Sequence, residues 1–262
     1  MKNINRTQPS YNKKPALWTY LLALVLFIIL WQVLVWLLDL PAFILPSPMQ
    51  VWSRLLTALR DGSLARHTLA TFNEVLSGLL IGILGASILG YLLSRSQSLE
   101  RVLSPFLVAS QAVPVAAIAP LLIIWFGSGV LSKVLICSLT VFFPVLVNTL
   151  VGLHGVPDAM RDLMRTLHAS RWQTLRYLEL PAALPIFLGG MRVGATLSVI
   201  GAVVGELAGA DRGLGFLINV GRGQYDTALV FVAVLTLVLL AVCLYTTVLL
   251  LEKHLLRWQE VK

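Results

Sequence analysis

Six stretches of this sequence run for about 20 residues or more with almost no charge, the length of helix that crosses a bilayer core of about 30 Å. They are Leu17–Leu38, Leu69–Leu93, Leu103–Phe126, Val130–Leu153, Leu184–Leu207 and Ala228–Leu251. Inside lipid every backbone N–H and C=O must find its partner within the protein, so such runs fold as helices. The expected class is therefore an all-α polytopic membrane protein with six transmembrane helices. Residues 1–16 read as a polar tail and 17–262 as a single transmembrane domain. The first run is too long for a signal-peptide core, and no small-residue cleavage site follows it, so it reads as a retained span. Composition agrees. Of 262 residues, 58% are hydrophobic and 12% charged, against about 45–50% and about 25% in soluble domains. A soluble enzyme or nucleic-acid-binding module of this size could not bury that much apolar surface.

The net charge is +8, and its distribution gives it meaning. Six spans put both termini on one side. With the N-terminus inside, the inner segments and Arg192 hold fourteen of the 20 Lys and Arg residues. The outer segments hold the other six, Arg54, Arg60, Arg66, Lys133, Arg212 and Arg222. This is the sense of the positive-inside rule. The basic balance reflects topology and lipid, not nucleic acid.

The segments between the runs carry signals of their own. Ser47 before Pro48 is an N-cap with proline at the first helical position. Val51, Trp52, Leu55, Leu56 and Leu59 then share one stripe, which predicts an amphipathic helix on the outer surface, ended by Asp61-Gly62. Gly78, Gly82, Gly85 and Gly90 mark the second run, and Gly190, Gly194, Gly201, Gly205 and Gly209 the fifth. Small residues four apart let helix backbones approach closely. The inner segment Gly155–Pro181 predicts two short helices. Asp158 is placed to cap the first, which carries Leu163, Met164 and Leu167 on one stripe. The break falls at His168, and Ser170 caps a second helix running to about Leu178. A polar two-helix knuckle suits a docking surface for a cytoplasmic partner, or a merely interfacial loop.

Several chemistries lack their residues. Gly127–Lys133 (GSGVLSK) is a poor phosphate loop: Ser132 stands where Gly is required and Val134 where Ser or Thr is required. Gly209–Gly215 (GADRGLG) lacks the setting of a dinucleotide fingerprint. His67, His154, His168 and His254 all lie outside the apolar runs, against an intramembrane hydrolase or a histidine metal site. Cys137 and Cys243 read as small buried hydrophobes. Glu74, Lys133, Arg192 and Glu206 lie near span ends, where side chains are expected to snorkel to the interface. No carboxylate deep in the bundle is evident, which weakens a self-sufficient, proton-coupled secondary transporter.

The inner segment resembles the membrane subunit of binding-protein-dependent ABC importers, whose signature is E-A-A, three residues, G, nine residues, I-x-L-P. Asp162-Leu163-Met164 stands for the first three residues and His168 for the glycine. Leu178-Glu179-Leu180-Pro181 closes the motif at the expected distance. Both alanines and the glycine are replaced, though histidine is among the residues that tolerate positive φ. LPSPMQVW (45–52), IIWFGSG (123–129), FFPVLVNT (142–149) and GELAGADRGLG (205–215) resemble the nitrate/sulfonate/taurine branch. AVPVAAIAPLLIIWFG (112–127) is most similar to permeases for riboflavin or thiamine pyrimidine precursors.

The resemblance implies a type I importer permease in the bacterial cytoplasmic membrane, with no catalytic residue and no bound cofactor or metal. ATP and Mg belong to two copies of a partner ATPase. A second permease copy completes the pathway, as a homodimer, and a solute-binding protein docks outside. Asp158, Asp162, Leu163, Met164, Leu167, His168, Ala169 and Arg171 become ATPase-coupling residues. The pathway is expected among the third to fifth spans, with Gln111, Asn148, Glu206 and Gly209 as pathway or gate residues. For Gln111 and Asn148 the competing reading is interhelical hydrogen bonding. The topology has a direct test. An impermeant thiol reagent added outside should label a cysteine placed at Ser63 or Asp211 and spare one at Ser10 or Gln173; the reverse pattern would overturn the charge argument.

Overall fold

In the computed structural model, which describes residues 17–257, helices account for every regular element and no strand occurs among the described residues. The expected tail, 1–16, lies outside the described residues. The first run forms α1 (Leu17–Leu37), and the capped outer segment forms α2 (Pro48–Arg60). The second run is a 32-residue helix, α3 (Ser63–Ser94). The third divides into α4 (Gln97–Gln111) and α5 (Val115–Phe126), and the fourth is α6 (Val130–His154). The inner segment contains α7 (Asp158–Thr166) and α8 (Arg171–Thr174). The fifth run is α9 (Leu180–Gly209), followed by α10 (Leu214–Gly223) and α11 (Thr227–Leu255).

Five helices are long and apolar enough to cross a membrane, and six if α4 and α5 count as one broken span. Here the structure departs from the expected continuous third helix, because α4 and α5 meet at 95°. Pro114 cannot donate a backbone hydrogen bond, and it pushes Val113 away from the helical region. The helix consequently stops at Gln111 and restarts at Val115, with Pro114 as its N-cap. Pro105 and Pro120 sit inside helices that continue past them.

The bundle is built around α6, which packs on α3 along one side and α9 along the other. Both glycine stripes point at it. A Cβ on Gly78 would overlap the Cβ of Cys137, and one on Gly82 would stand 2.8 Å from the Ser138 carbonyl. From the opposite side, Gly190 meets Asn148 at 2.6 Å and Gly201 meets Thr140 at 2.6 Å. Lipid tails are as apolar as leucine, so close van der Waals contact holds these helices together rather than exclusion from water. Cys137 is buried at this junction, as expected; Cys243 is exposed on the surface of α11, contrary to expectation.

The outer elements are fastened at their ends. Ser47 and Gln50 form a reciprocal capping box at the start of α2. Arg54 then pairs with Asp226 at 2.7 Å, and Asp226 also caps α11. Gly62, at φ 72°, makes the left-handed turn from α2 into α3. α1 stands apart, joined through Trp31, which donates to the Pro46 carbonyl at 3.1 Å and stacks on Phe231 at 5.2 Å.

This packing predicts unequal tolerance along α3. Gly78→Ala forces α3 and α6 apart and should cost about 1–3 kcal/mol, the usual range for overpacking. At Gly85 an added Cβ would meet the Phe142 ring at 3.6 Å, an ordinary contact. Gly85→Ala should therefore be neutral, or stabilise by up to about 1 kcal/mol through helix propensity. Thermal unfolding of the purified variants reads both.

Candidate functional site

The inner knuckle is made by α7 and the turn after it. Asp158 is the first helical residue rather than the cap, which is Pro157; its carboxylate pairs with Arg161 at 3.2 Å. Asp162 pairs with Arg165 at 2.9 Å. Leu163 and Leu167 are exposed while Met164 is half-buried. At the end of α7, His168 adopts φ 53°, in the left-handed region. Its N–H donates to the Arg165 carbonyl at 2.9 Å, and the Ala169 N–H donates to Met164 at 3.0 Å. These two bonds make a Schellman motif with histidine in the position that glycine usually fills.

The second half of the knuckle differs from expectation. Ser170 does cap it, in a box with Gln173, but no separate helix runs to Leu178. One turn of α8 passes through a π-helical turn, Leu175–Glu179, straight into α9. Pro181 has no N–H to donate to the Tyr177 carbonyl four residues back, and just before it the Leu180 N–H reaches five residues back to the Leu175 carbonyl, the π pattern. Glu179 is buried in this turn. Arg95, just past α3, holds it with two bonds of 3.1 and 2.5 Å, and Arg161 approaches at 3.8 Å. The knuckle is thereby tied to the inner end of α3. Sequence reasoning missed this pairing, although Glu179 lies inside the recognised motif.

At the outer end, three ionisable side chains expected to snorkel are instead buried together. Glu206 of α9, Glu74 of α3 and Lys133 of α6 are all shielded from solvent. Arg192, the fourth, pairs with Glu252 at 3.0 Å. Glu206 accepts from the Thr71 hydroxyl at 2.6 Å and from the Gly215 N–H at 2.5 Å. Thr71 accepts from the Leu214 N–H at 2.8 Å, and His67 Nδ1 accepts from the Gly213 N–H at 3.0 Å. Three of the four unpaired N–H groups at the start of α10 are thus capped by side chains of α3 and α9. Gly213 has φ 114°, and a Cβ there would overlap the Glu206 carboxyl. Lys133 donates to the Ser128 carbonyl and interacts electrostatically with both carboxyl groups. The snorkelling expectation failed because these partners are far apart in sequence. Burial becomes affordable once opposite charges and backbone donors converge.

The expected pathway residues fall in three places. Gln111 is exposed at the α4–α5 bend and lines an open cleft of about 430 Å³ with Ser110, Val113, Thr140, Phe143 and Leu197, among others. Asn148 lies at the α6–α9 contact, donates to the Pro144 carbonyl at 2.8 Å and faces Gly190. That geometry suits packing. Gly209 closes α9 against Ile123, and Glu206 belongs to the outer cap described above. No cluster of possible metal ligands occurs among the described residues.

Residues 78–258 match the family described as binding-protein-dependent transport system inner membrane component. The riboflavin transport system permease protein RibX of Chloroflexus aurantiacus is 48% identical over 90% of this chain and 88% of its own. The formylaminopyrimidine transport permease ThiX of Halalkalibacterium halodurans is 35% identical over 90% of this chain and 94% of its own.

The chain belongs to the binding-protein-dependent permease family.

A solved chain of the MetNI methionine ABC transporter, in inward-facing conformations, shares the fold at TM-score 0.63 and 20% identity. The match covers 75% of this chain and 97% of that one. This permease accordingly has the type I ABC importer fold, and it is a multi-pass inner membrane protein. Its recognised motif is the Schellman-closed knuckle, and its outer motif, residues 205–215, is the capped start of α10. The buried cluster yields a stability prediction. Lys133→Met removes the bond to the Ser128 carbonyl and a buried cation near Glu74 and Glu206, and should lower thermal stability. Adding Glu74→Gln should restore part of it. Thermal unfolding of the single and double variants measures both steps; a Lys133→Met permease as stable as wild type would show that the cation does not hold the cluster.

Proposed function

We propose that two copies of this permease line the route of a small organic solute across the inner membrane, driven by a separate ATPase. The observation that carries the reading is the knuckle. It exposes Leu163 and Leu167 on a short rigid helix whose far end is locked by His168 and whose base is locked by Glu179 and Arg95. Exposed apolar side chains on a pre-ordered helix suit insertion into a partner's groove, because little ordering entropy remains to be lost on docking. Asp158, Asp162, Met164, Ala169 and Arg171 flank that contact. ATP and Mg are held by the partner, and this chain carries out no bond cleavage.

The coupling is mechanical. Closure of the two ATPase copies displaces the knuckle, and α9 conveys the displacement because α8, the π turn and α9 are one continuous helical path. At the outer end α9 holds Glu206 and Gly209, which act as gate residues by controlling the start of α10. A solute-binding protein delivers the solute to the outer face. This is a rigid-body switch between inward-open and outward-open arrangements. The solute class follows the relatives that transport riboflavin and formylaminopyrimidine, in keeping with the resemblance of residues 112–127.

The contact at the knuckle is testable. Leu163→Asp or Leu167→Asp buries an unpaired charge in the docked complex, a cost of several kcal/mol. Each should abolish co-purification with the partner ATPase and remove solute-stimulated ATP hydrolysis, while the permease itself stays folded. Normal co-purification and transport by both variants would overturn the assignment.

A further inference from the structure

We propose that the cleft at the α4–α5 bend is a solute site of the permease itself, and that it selects uncharged, planar nitrogen heterocycles over anions. The inference rests on the importer reading and adds a binding site to it. The bend sets α5 against α6 and α9 and brings the end of α4 to the same cleft, so the three expected pathway spans meet at one cavity. Its walls are mostly apolar, with Leu139, Phe143, Pro144 and Leu197 on the α6 and α9 side. These present flat, water-excluding surfaces to a ring. No charged residue lines it. An anionic solute lodged there would lose its hydration without gaining a cation, which is strongly unfavourable.

The polar groups sharpen the choice. The Ser110 hydroxyl donates to the Leu107 carbonyl at 2.8 Å, and the Thr140 hydroxyl donates to the Cys137 carbonyl at 2.6 Å. Both hydrogens are committed to the backbone, so whatever part of each oxygen faces the cleft offers only lone pairs; that of Thr140 also lies against Gly201 of α9. A sulfonate or nitrate oxygen would face those lone pairs and be repelled. A ring N–H, ring amino group or sugar-like hydroxyl would donate to them. Gln111 supplies the complement. Its carboxamide is exposed and makes no side-chain hydrogen bond among the described residues, leaving two donors and one acceptor for the N–H and C=O edge of a heterocycle. Donor-poor walls, one free carboxamide and no charge together favour a neutral ring that carries its own N–H groups.

The test uses the permease assembled with its ATPase in detergent, without the binding protein. Riboflavin, followed by its fluorescence, and formylaminopyrimidine, followed by calorimetry, are titrated as probes. At least one should bind saturably, and taurine in large excess should not displace it. Gln111→Leu and Thr140→Val should each weaken binding by about tenfold or more, the effect of leaving one polar edge of the ligand unpaired. Thr140→Ser, which keeps the hydroxyl, should retain binding. Thermal unfolding of each variant separates loss of the site from loss of the fold. No saturable binding of either probe, binding that both variants leave intact, or displacement by taurine would overturn the proposal. Hydrolysis stimulated by the binding protein is measured in the same preparations. If it persists while binding fails, the importer reading stands and the cleft assignment alone is lost.

Discussion

Everything in this permease hangs on how closely α6 approaches its two neighbours. In water a buried helix is held by exclusion of its apolar face from solvent. In lipid that force is absent, and contact distance takes its place. The glycines of α3 and α9 remove side chains where α6 must come nearest, so that Cys137 touches Gly78 on one side and Gly201 on the other. Once α3, α6 and α9 are fixed as a unit, the remaining features have defined positions. The outer cluster joins one end of that unit, the inner ion pairs join the other, and the α4–α5 bend leans on its flank.

The outer cluster shows how a membrane protein can keep charge away from water. Glu206 alone would be intolerable there. Its oxygens receive a hydroxyl from Thr71 and a backbone N–H from Gly215, and Lys133 supplies the opposite charge. The arrangement also solves a second problem, because the start of α10 needs acceptors that a nonpolar environment cannot offer. The side chains that stabilise the carboxyl group and the backbone groups that need capping are satisfied together. A motion that withdrew α9 from α3 would expose both problems at once.

The class of the fold was legible because it depends on local properties, run length and charge content. Local signals also gave the Ser47 and Ser170 caps, the break at His168 and the turn at Asp61-Gly62. What escaped was whatever depends on partners distant in sequence. Glu74, Lys133 and Glu206 each look like a charge near a span end, and nothing in a linear reading brings α3, α6 and α9 together at that level. His67 and Thr71 looked unremarkable because their partners are backbone groups of residues 213 and 214. The broken third span was signalled by Pro114, yet three prolines in one run do not reveal which of them ends the helix. Pro105 and Pro120 are accommodated, and only Pro114 sits where the chain turns.

The two ends of α9 join these observations. Glu179 is fastened to Arg95 at the inner end, and Glu206 to Thr71 at the outer end; both partners belong to α3 or the residue that follows it. The 27 residue steps between them span roughly 40 Å of helix, more than the hydrocarbon core. α3 and α9 are thus braced twice, once toward each end of α9, and neither brace lies at the glycine contacts that both helices make with α6. A displacement of the knuckle loads the inner brace first. The π turn at Leu175–Glu179 lies beside that brace, where the hydrogen-bond register of the helix already changes. A change of register can be absorbed there with less loss than in the regular helix, because the pattern is interrupted by Pro181 in any case. The interruption is therefore next to the knuckle, and beyond it α9 runs as one helix to Gly209 with Pro185 inside it. On the proposed coupling role, an interrupted helical pattern at the driven end followed by a continuous helix would carry a push on the knuckle to the residues that cap α10.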